Sequence, residues 1–142
     1  MARLFLIDHH LAVRQGLTLL LQQSHTICGE AGSRAEALER IGESGADLVL
    51  LDLVVGNESG LGLIPAARQQ GISVLVYSMR EDAESISGAF AVGAGGYVTK
   101  CEPADALLAA VTDLLSGKRH ISPRAAQSLT NRTLSVAKND QI

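Results

Sequence analysis

Short apolar segments alternate with helix-like segments along most of this chain. Residues 3–7 are mainly apolar and end at Asp8, and apolar positions then recur with helical spacing from Val13 to Leu21. Further short apolar segments follow at 27–31, 47–51, 73–77 and 97–99. Five short strands that alternate with helices predict an α/β fold, with a parallel sheet, right-handed crossovers and helices on both faces.

Local signals support this alternation. Residues 47–51 and 73–77 are apolar at nearly every position, which is typical of central strands that are buried on both faces. Ser33, with Glu36 three residues later, forms a capping-box pattern at the start of a helix. Pro103 favours another helix start, because proline is common in the first turn of a helix.

The character of the sequence changes after Ile121. Ser122 and Pro123 follow, and the remaining residues to Ile142 are mostly polar with little apolar periodicity. We therefore expect one domain over residues 1–121 and a linker or tail over residues 122–142. We also expect the natural protein to continue beyond this segment.

Composition excludes several classes of protein. The 142 residues are 46% hydrophobic and 19% charged, which indicates a folded chain. Lys and Arg number 12 against 15 Asp and Glu, so the basic excess that binds phosphate backbones is lacking, and we expect no direct nucleic-acid binding by this segment. The uncharged stretches are too short for a membrane span and the N-terminus does not resemble a signal peptide, so we expect a cytoplasmic protein without membrane contact. Cys28 and Cys101 fit no zinc pattern, and we expect both to be reduced and buried.

Polar side chains stand at the ends of four predicted strands. Asp8 and His9 follow the first strand, Asp52 follows the third, Ser78 the fourth and Lys100 the fifth. Because function in such sheets gathers in the crevice at the carboxyl ends of the strands, we expect these side chains to meet there. Two carboxylates can hold a hard divalent cation, a hydroxyl and an ammonium can hold phosphoryl oxygens, and a carboxylate can attack a phosphoryl group. The set predicts a site that forms an acyl phosphate.

This set also carries a family resemblance. Four of its residues stand in the order and spacing of the response-regulator receiver domain of two-component signalling: Asp8, Asp52, Ser78 and Lys100. The resemblance covers residues 3–121, and residues 6–17 and 91–100 are similar to the NarL/FixJ subfamily, whose members usually carry a C-terminal LuxR-type helix-turn-helix. It implies a flavodoxin-like (CheY-like) fold with five strands in the order 2-1-3-4-5.

The resemblance also implies a function. Asp52 would accept a phosphoryl group from a histidine kinase, with Ser78 and Lys100 holding that group. The phosphorylated domain would control an attached DNA-binding output that is absent from this chain, and so regulate transcription. The face of the fourth helix and fifth strand would serve output contacts or a homodimer. The only chemistry implied is phosphorylation and dephosphorylation of the domain itself, so we do not expect an enzyme.

Three further residues take implied roles around the phosphoacceptor. Tyr97 would act as the switch aromatic whose rotamer follows Ser78. Val54 would give its backbone carbonyl to the metal, and Val54 and Arg80 would tune the hydrolysis of the acyl phosphate. A half-buried strand aromatic is the structural alternative for Tyr97.

The metal position departs from the family pattern. The family normally ends its first strand in two acidic residues, whereas this chain has Asp8 and His9. Magnesium prefers oxygen ligands, a neutral imidazole suits softer ions, and an imidazolium repels any cation. We therefore expect weak magnesium binding by Asp8, Asp52 and Val54, with manganese as an alternative. His9 is either a modifier of this site or a solvated corner residue. The alternative function is a degenerate receiver, a binding module that works without phosphorylation because His9 impairs magnesium binding.

Other interpretations of the polar residues stay open at this point. Asp8 alone could be a helix N-cap, and Asp52 alone could be a turn former before Gly56 and Asn57. A flavin carrier or a haloacid-dehalogenase-type phosphatase would use a similar sheet. The former needs a Ser/Thr/Gly-rich loop after the first strand, and the latter needs a second Asp where this chain has Val54. Neither signature is present in the sequence.

Overall fold

A six-stranded parallel sheet with helices on both faces forms the centre of the structure, a computed structural model that describes residues 1–140. The strands are β1 (Arg3–Ile7), β2 (Thr26–Ala31), β3 (Leu48–Leu51), β4 (Val54–Val55), β5 (Glu58–Ser59), β6 (Ser73–Ser78), β7 (Gly96–Thr99) and β8 (His120–Ile121). The helices are α1 (Leu11–Leu21), α2 (Arg34–Arg40), α3 (Leu63–Gln69), α4 (Ala83–Ala91), α5 (Ala104–Leu115) and α6 (Pro123–Asp140), and a 3₁₀ turn at Ile41–Glu43 extends α2.

The strand order is β2-β1-β3-β6-β7-β8. The five predicted strands are all present, and they take the predicted order 2-1-3-4-5. The predicted number of strands is wrong, because β8 adds a sixth strand that pairs parallel to β7, and β4 and β5 form a separate antiparallel pair. Each of these additional strands has only two residues, which is too short to show an alternation of apolar and polar positions.

Each face of the sheet has its own core because successive side chains of a strand point to opposite faces. In β1, Leu4 and Leu6 pack with residues of α1 and α5, whereas Phe5 and Ile7 pack with residues of α2, α3 and α4. All four of these side chains are buried. Burial on both faces explains why the strands are apolar at nearly every position.

Side chains cap two helices, and the sequence predicts the first of these caps. Ser33 accepts a hydrogen bond from the main-chain nitrogen of Glu36 at 3.2 Å, as the capping-box pattern predicts. Asp82 accepts one from the nitrogen of Ser85 at 3.0 Å and so begins α4. These caps satisfy amides that have no partner inside the helix.

Residues 123–140, within the predicted linker or tail, form helix α6. Ala125, in the first turn of α6, is fully buried, and Leu129 packs against the core from the next turn. These two apolar residues are four apart and are followed by a polar sequence, so the helical periodicity extends too briefly to identify the helix. Residues 141 and 142 of the predicted tail lie outside the described residues. The division into a domain over 1–121 and a linker over 122–142 stays a prediction.

The two cysteines differ in their surroundings. Cys28 is half-buried and its thiol donates to the carbonyl of Leu4 at 3.3 Å, and both cysteines are free. Cys101 is exposed, so the expectation that it is buried is wrong. Its place in the turn after β7 explains this difference, because that turn lies at the surface.

The structure was also searched for a membrane-spanning helix. Within residues 1–140, no helix has both the length and the apolar composition that crossing a bilayer requires.

Candidate functional site

The ammonium group of Lys100 lies between two carboxylates at one edge of the sheet. Its Nζ donates to Oδ2 of Asp8 at 2.7 Å and to Oδ2 of Asp52 at 2.8 Å. The exposed fractions of these side chains are only 11% for Lys100, 3% for Asp8 and 8% for Asp52. One ammonium and two carboxylate groups therefore lie close together where little water reaches them.

The strand ends bring these residues together. Asp8 follows β1, Asp52 follows β3 and Lys100 follows β7. The parallel pairing extends one residue beyond each of these strands. The main-chain N–H of Asp8 donates to the carbonyl of Ala31 at 3.1 Å, that of Asp52 to Ile7 at 3.0 Å and that of Lys100 to Ser78 at 2.8 Å. The main chain of the site is consequently held by the sheet itself.

The charge of Lys100 is stabilised by its partners. Burial by itself would lower the pKa of Lys100, but the hydrogen bonds to Asp52 and Asp8 and the charges of these two carboxylates outweigh burial, so the pKa is raised above its usual value. The ammonium form therefore persists at neutral pH and is available to bind an anion.

The second oxygen of each carboxylate is held by the main chain. Oδ1 of Asp52 accepts from the nitrogen of Val54 at 3.2 Å, and Oδ1 of Asp8 accepts from the nitrogen of His10 at 2.9 Å. The N-cap position of α1 is occupied by His10, so the interpretation of Asp8 as a helix N-cap is wrong. Asp52 combines the turn contact with the contact to Lys100, which fixes the orientation of its carboxylate.

Ser78 and Tyr97 are linked through the main chain of Arg80. Ser78 Oγ accepts from the nitrogen of Arg80 at 3.2 Å, and the hydroxyl of Tyr97 donates to the carbonyl of Arg80 at 2.6 Å. Tyr97 is fully buried, and this burial raises its pKa, so the phenol stays protonated and keeps donating. Tyr97 is thus more deeply buried than the half-buried strand aromatic of the structural alternative, and its role as a switch stays a prediction.

An open cleft of about 700 Å³ lies over the carboxylate of Asp52. Its lining contains both polar and apolar side chains: His9, His10, Val13, Asp52, Val54, Asn57, Ser78, Met79, Arg80 and Lys100, together with Gly56. Asp8 does not line the cleft and is buried beneath Lys100. A small anionic group entering the cleft reaches Asp52, Ser78 and Lys100 from one side.

Comparison with known families identifies this arrangement. A family model described as the response regulator receiver domain matches residues 4–112, which contain all of the site residues above. The chain belongs to this family. Receiver domains are signalling modules, which agrees with the expectation that the chain is not a metabolic enzyme.

Individual relatives indicate the subfamily within this family. The receiver is 33% identical over 133 residues to the DNA-binding transcriptional activator DevR/DosR of Mycobacterium tuberculosis, covering 91% of this chain and 61% of that protein. It is 27% identical to the nitrate/nitrite response regulator NarP of Escherichia coli, covering 97% of this chain and 66% of that protein. These relatives support the NarL/FixJ subfamily.

Solved structures agree with this assignment. A LuxR-family two-component response regulator from an Aurantimonas species superposes with a TM-score of 0.88 and 30% identity, covering 94% of this chain and 99% of that chain. The alternative of a degenerate receiver gains no support from these comparisons.

His9 does not join the two carboxylates of the receiver. Its ring Nδ1 lies 3.3 Å from the carbonyl oxygen of Gly32, and a Cβ placed on Gly56 would lie 3.3 Å from the same nitrogen. Within residues 1–140, no three His, Cys, Asp or Glu side chains are grouped so that they could hold a metal ion. The imidazole instead lies between the loop after β2, which contains Gly32, and the turn that joins β4 to β5, which contains Gly56.

Arg14 is a site residue that the sequence did not reveal. Its Nη1 donates to the main-chain carbonyl of Asp8 at 2.6 Å, and its Nε pairs with Oε1 of Glu30 at 2.8 Å. This side chain therefore fixes the corner that carries Asp8. In the sequence, Arg14 is only a charged residue directly after Val13 in the first helix. Because charged residues are usually solvent-exposed, this position does not indicate a contact with the site.

A second missed pair joins the loop after β6 to the start of α6. Both guanidinium nitrogens of Arg124 that face Glu81 donate to its carboxylate, Nε to Oε2 at 2.7 Å and Nη2 to Oε1 at 2.8 Å. Glu81 belongs to the loop after β6 and Arg124 to α6, 43 residues apart. No local spacing signals a pair at this separation.

Proposed function

We propose that this receiver accepts a phosphoryl group on Asp52 from a histidine kinase and thereby controls an attached DNA-binding output. The observation that carries the proposal is the position of Lys100, whose Nζ is 2.8 Å from Asp52 and 2.7 Å from Asp8 at an open cleft. An ammonium held by two carboxylates is well placed to exchange one of them for phosphoryl oxygens.

The chemistry follows from the residues around Asp52. A carboxylate oxygen of Asp52 attacks phosphorus, the bond from phosphorus to the donor breaks, and the donor leaves with its electron pair. Lys100 then holds one phosphoryl oxygen and neutralises its charge. The hydroxyl of Ser78, which now accepts from Arg80, turns to donate to another phosphoryl oxygen. The amide of Val54 keeps the second carboxylate oxygen in place.

The residues present fit a magnesium ion. Magnesium is usually held by one or two carboxylates and several waters. Asp52 supplies one carboxylate in the lining of the cleft, and Asp8, which shares the ammonium of Lys100 with it, supplies a second. In our proposal these two residues hold the ion together with the backbone carbonyl of Val54. When bound, the ion would neutralise charge on the transferring oxygens. His9 contributes no carboxylate, so we expect weak magnesium binding and accept manganese as an alternative.

Two exposed side chains flank the phosphoacceptor and tune the lifetime of the acyl phosphate in our proposal. Val54 is exposed at the rim of the cleft, and Arg80 also lines it. The guanidinium of Arg80 lies 4.0 Å from the carboxylate of Asp82, so it is held only loosely. It is free to swing over the cleft and shield the phosphoryl group from water.

The wider role is inferred from the relatives. The chain spans 61% of DevR/DosR, which is described as a DNA-binding transcriptional activator, and 66% of NarP. We infer a cytoplasmic transcription regulator in which a receiver over residues 1–121 is joined through residues 122–142 to a helix-turn-helix output. A homodimer through the α4–β7 face is the expected active assembly.

Intact-mass spectrometry after incubation with acetyl phosphate tests the proposal. The expected result is a gain of one phosphoryl group in the presence of magnesium or manganese, and no gain with a chelator. Asp52→Asn is the matched control and should gain nothing. A chain that gains no phosphoryl group with either metal, or an Asp52→Asn variant that gains as much as the original chain, would overturn it.

A further inference from the structure

A second recess lies at the edge of the sheet opposite to the phosphoacceptor cleft. Its volume is about 280 Å³, and its lining includes Ser73 and Val74 at the start of β6 and Gly95 just before β7. Asp52 and Lys100 stand at the other, carboxyl ends of the strands. The recess and the cleft have no lining residue in common, so they are separate sites.

Three cationic side chains line this recess. Arg68 comes from the last turn of α3, and Lys118 and Arg119 come from the loop between α5 and β8. No Asp or Glu is among the lining residues, and within residues 1–140 none of the three cations forms an ion pair with a carboxylate. The chain as a whole carries a net charge of -3, so the recess concentrates positive charge against the overall sign.

The positions of these cations relative to the helices explain only part of this arrangement. A cation at the end of a helix is common, because the helix dipole places partial negative charge there. Arg68 and Lys118 each follow this pattern singly, at the ends of α3 and α5. It gives no reason for side chains of two elements to meet Arg119 over one recess. Like charges that share a recess repel one another, and an anion between them removes this repulsion.

The nearest acidic residue along the chain does not neutralise the recess. Asp113, in the last turns of α5, does not line it, and its Oδ2 lies 2.9 Å from Nδ1 of His120. The carboxylate of Asp113 is therefore already engaged, and the positive charge of the recess stays available to a ligand.

Packing holds two of the cationic side chains in place. The stem of Arg68 lies along Gly93, where an added Cβ would be only 3.2 Å from its Cγ. The guanidinium of Arg119 lies 5.9 Å from the centre of the Phe90 ring, a cation–π contact that orients it. Side chains that are already oriented lose less conformational entropy when they bind a ligand.

Glycines make the main chain of the recess accessible. Gly93, Gly95 and Gly117 all line it, and none of them carries a side chain that would cover the backbone. At Gly117 an added Cβ would meet nothing within 4 Å, so the space above this residue is open. A compact ligand can therefore approach the backbone closely while the three cations surround it.

We propose that this recess binds a diphosphate group, either as free inorganic pyrophosphate or as part of a nucleoside diphosphate. The planar guanidinium of arginine binds two phosphate oxygens at once, and lysine binds phosphate as a point charge. Two linked phosphoryl groups present negative oxygens to several cations together, which a single small anion does not. The volume of about 280 Å³ lies near the lower end of the range of about 300–1,000 Å³ for small-molecule pockets and suits a compact ligand. This inference does not depend on the proposed function and adds a second ligand site.

Two-dimensional NMR spectra of the backbone amides test the site on the full chain. Inorganic pyrophosphate, added without metal ions, should shift the signals of Gly93, Gly95 and Gly117 until they saturate. The titration is made at about 0.15 M salt, which screens weak attraction between exposed charges. Signals of Asn57 and Met79, which line the phosphoacceptor cleft, should stay unchanged. Adenosine diphosphate should shift the same glycine signals, and adenosine should not.

Variants test the role of the cations. Arg68→Gln, Lys118→Gln and Arg119→Gln should each raise the pyrophosphate concentration for half-saturation about tenfold, because each removes a charge-assisted hydrogen bond. Arg68→Lys keeps the charge and should lose less than Arg68→Gln. Arg132→Gln is the matched control, because Arg132 is exposed on α6 and does not line the recess. It should bind like the original chain.

Each outcome supports or overturns the proposal. Glycine signals that do not shift, or shifts at Asn57 and Met79 instead, overturn the site. Unchanged half-saturation in all three Gln variants overturns the role of the cations, and equal half-saturation for inorganic phosphate and pyrophosphate overturns the preference for a diphosphate. A response to pyrophosphate alone supports the site and assigns the free anion, whereas a response to adenosine diphosphate as well supports a nucleotide as the source.

Discussion

The hydroxyl of Tyr97 donates to the main-chain carbonyl of Arg80 at 2.6 Å, so a buried residue of β7 holds the loop that follows β6. That loop begins at Ser78, which lines the cleft, and contains Glu81, which binds α6. One hydrogen bond therefore joins the phosphoacceptor cleft to the helix that covers the α4–β7 face. The consequences of removing it can be measured.

Tyr97→Phe should lower the free energy of unfolding by about 0.5–1.5 kcal/mol, the usual net value of one hydrogen bond, because the ring keeps its place in the core. Urea unfolding measures this change. Hydrogen exchange should also be faster in α6, while the yield of phosphorylated Asp52 stays the same. Tyr77→Phe is the control, since the hydroxyl of Tyr77 makes no hydrogen bond to the described residues. Equal losses in both variants would contradict a special role for the hydroxyl of Tyr97.

Lys100→Met should destabilise the fold by about 3–5 kcal/mol, because two largely buried carboxylates lose their shared cation. Magnesium should restore part of this loss by replacing the missing charge, and this restoration should be larger than any effect of magnesium on the original chain. Urea unfolding with and without magnesium measures both changes. Adding Asp8→Asn to Lys100→Met should recover stability without magnesium. Its failure to do so would show that charge repulsion is not the cause.

His9→Asp should lower the magnesium concentration that gives half-maximal phosphorylation by acetyl phosphate. It adds a carboxylate at the corner next to Asp8, and oxygen ligands suit magnesium better than imidazole does. A change of about tenfold corresponds to about 1.4 kcal/mol of added binding free energy. His9→Gln removes the imidazole without adding charge and is the matched control. The same improvement in His9→Gln would mean that the imidazole interferes sterically.

Gly60→Ala should destabilise the fold by about 1–3 kcal/mol and reduce phosphorylation. A Cβ at this position would lie against the main-chain oxygen of Asp52, closer than real Cβ contacts occur, so the phosphoacceptor must move. Thermal unfolding and intact mass measure the two effects. Gly16→Ala is the control within α1, where an added Cβ meets nothing within 4 Å, and it should stabilise by about 0.5–1 kcal/mol. Normal phosphorylation of Gly60→Ala would contradict this prediction.

Acid should weaken the contact between α6 and the loop after β6. The hydrogen bonds from Arg124 lower the pKa of Glu81 from 4.5 to about 2. A lowered pKa means that the ionised form stabilises the folded state, so its contribution is complete above about pH 4.5 and disappears as the pH falls through about 2. The difference in α6 protection between the original chain and Glu81→Gln should shrink over this range. A constant difference would show that the pair is not responsible.

Much of this molecule follows from local sequence patterns. Apolar runs that end in Asp8, Asp52 and Lys100 predict the strands, their parallel arrangement and the edge at which the polar side chains meet. The reason is physical: a strand buried on both faces must be apolar throughout, and parallel strands present their carboxyl ends at the same edge. The cap at Ser33 is local in the same sense, because all of its atoms lie within one helical turn.

Contacts between distant parts of the chain were decided only by the tertiary structure. Sequence gives no indication that the ring of His9 lies beside Gly32 and Gly56, because the side chain of a strand-end residue can turn toward more than one neighbouring loop. Nor does it show that Arg124 reaches Glu81. These contacts form only after the sheet has brought its loops together, and the polar segment after Ile121 becomes a docked helix because the folded domain supplies the surface that buries Ala125. Local patterns determined the sheet and its reactive edge, whereas the partner of each charged side chain and the position of α6 depended on packing between elements that are far apart in sequence.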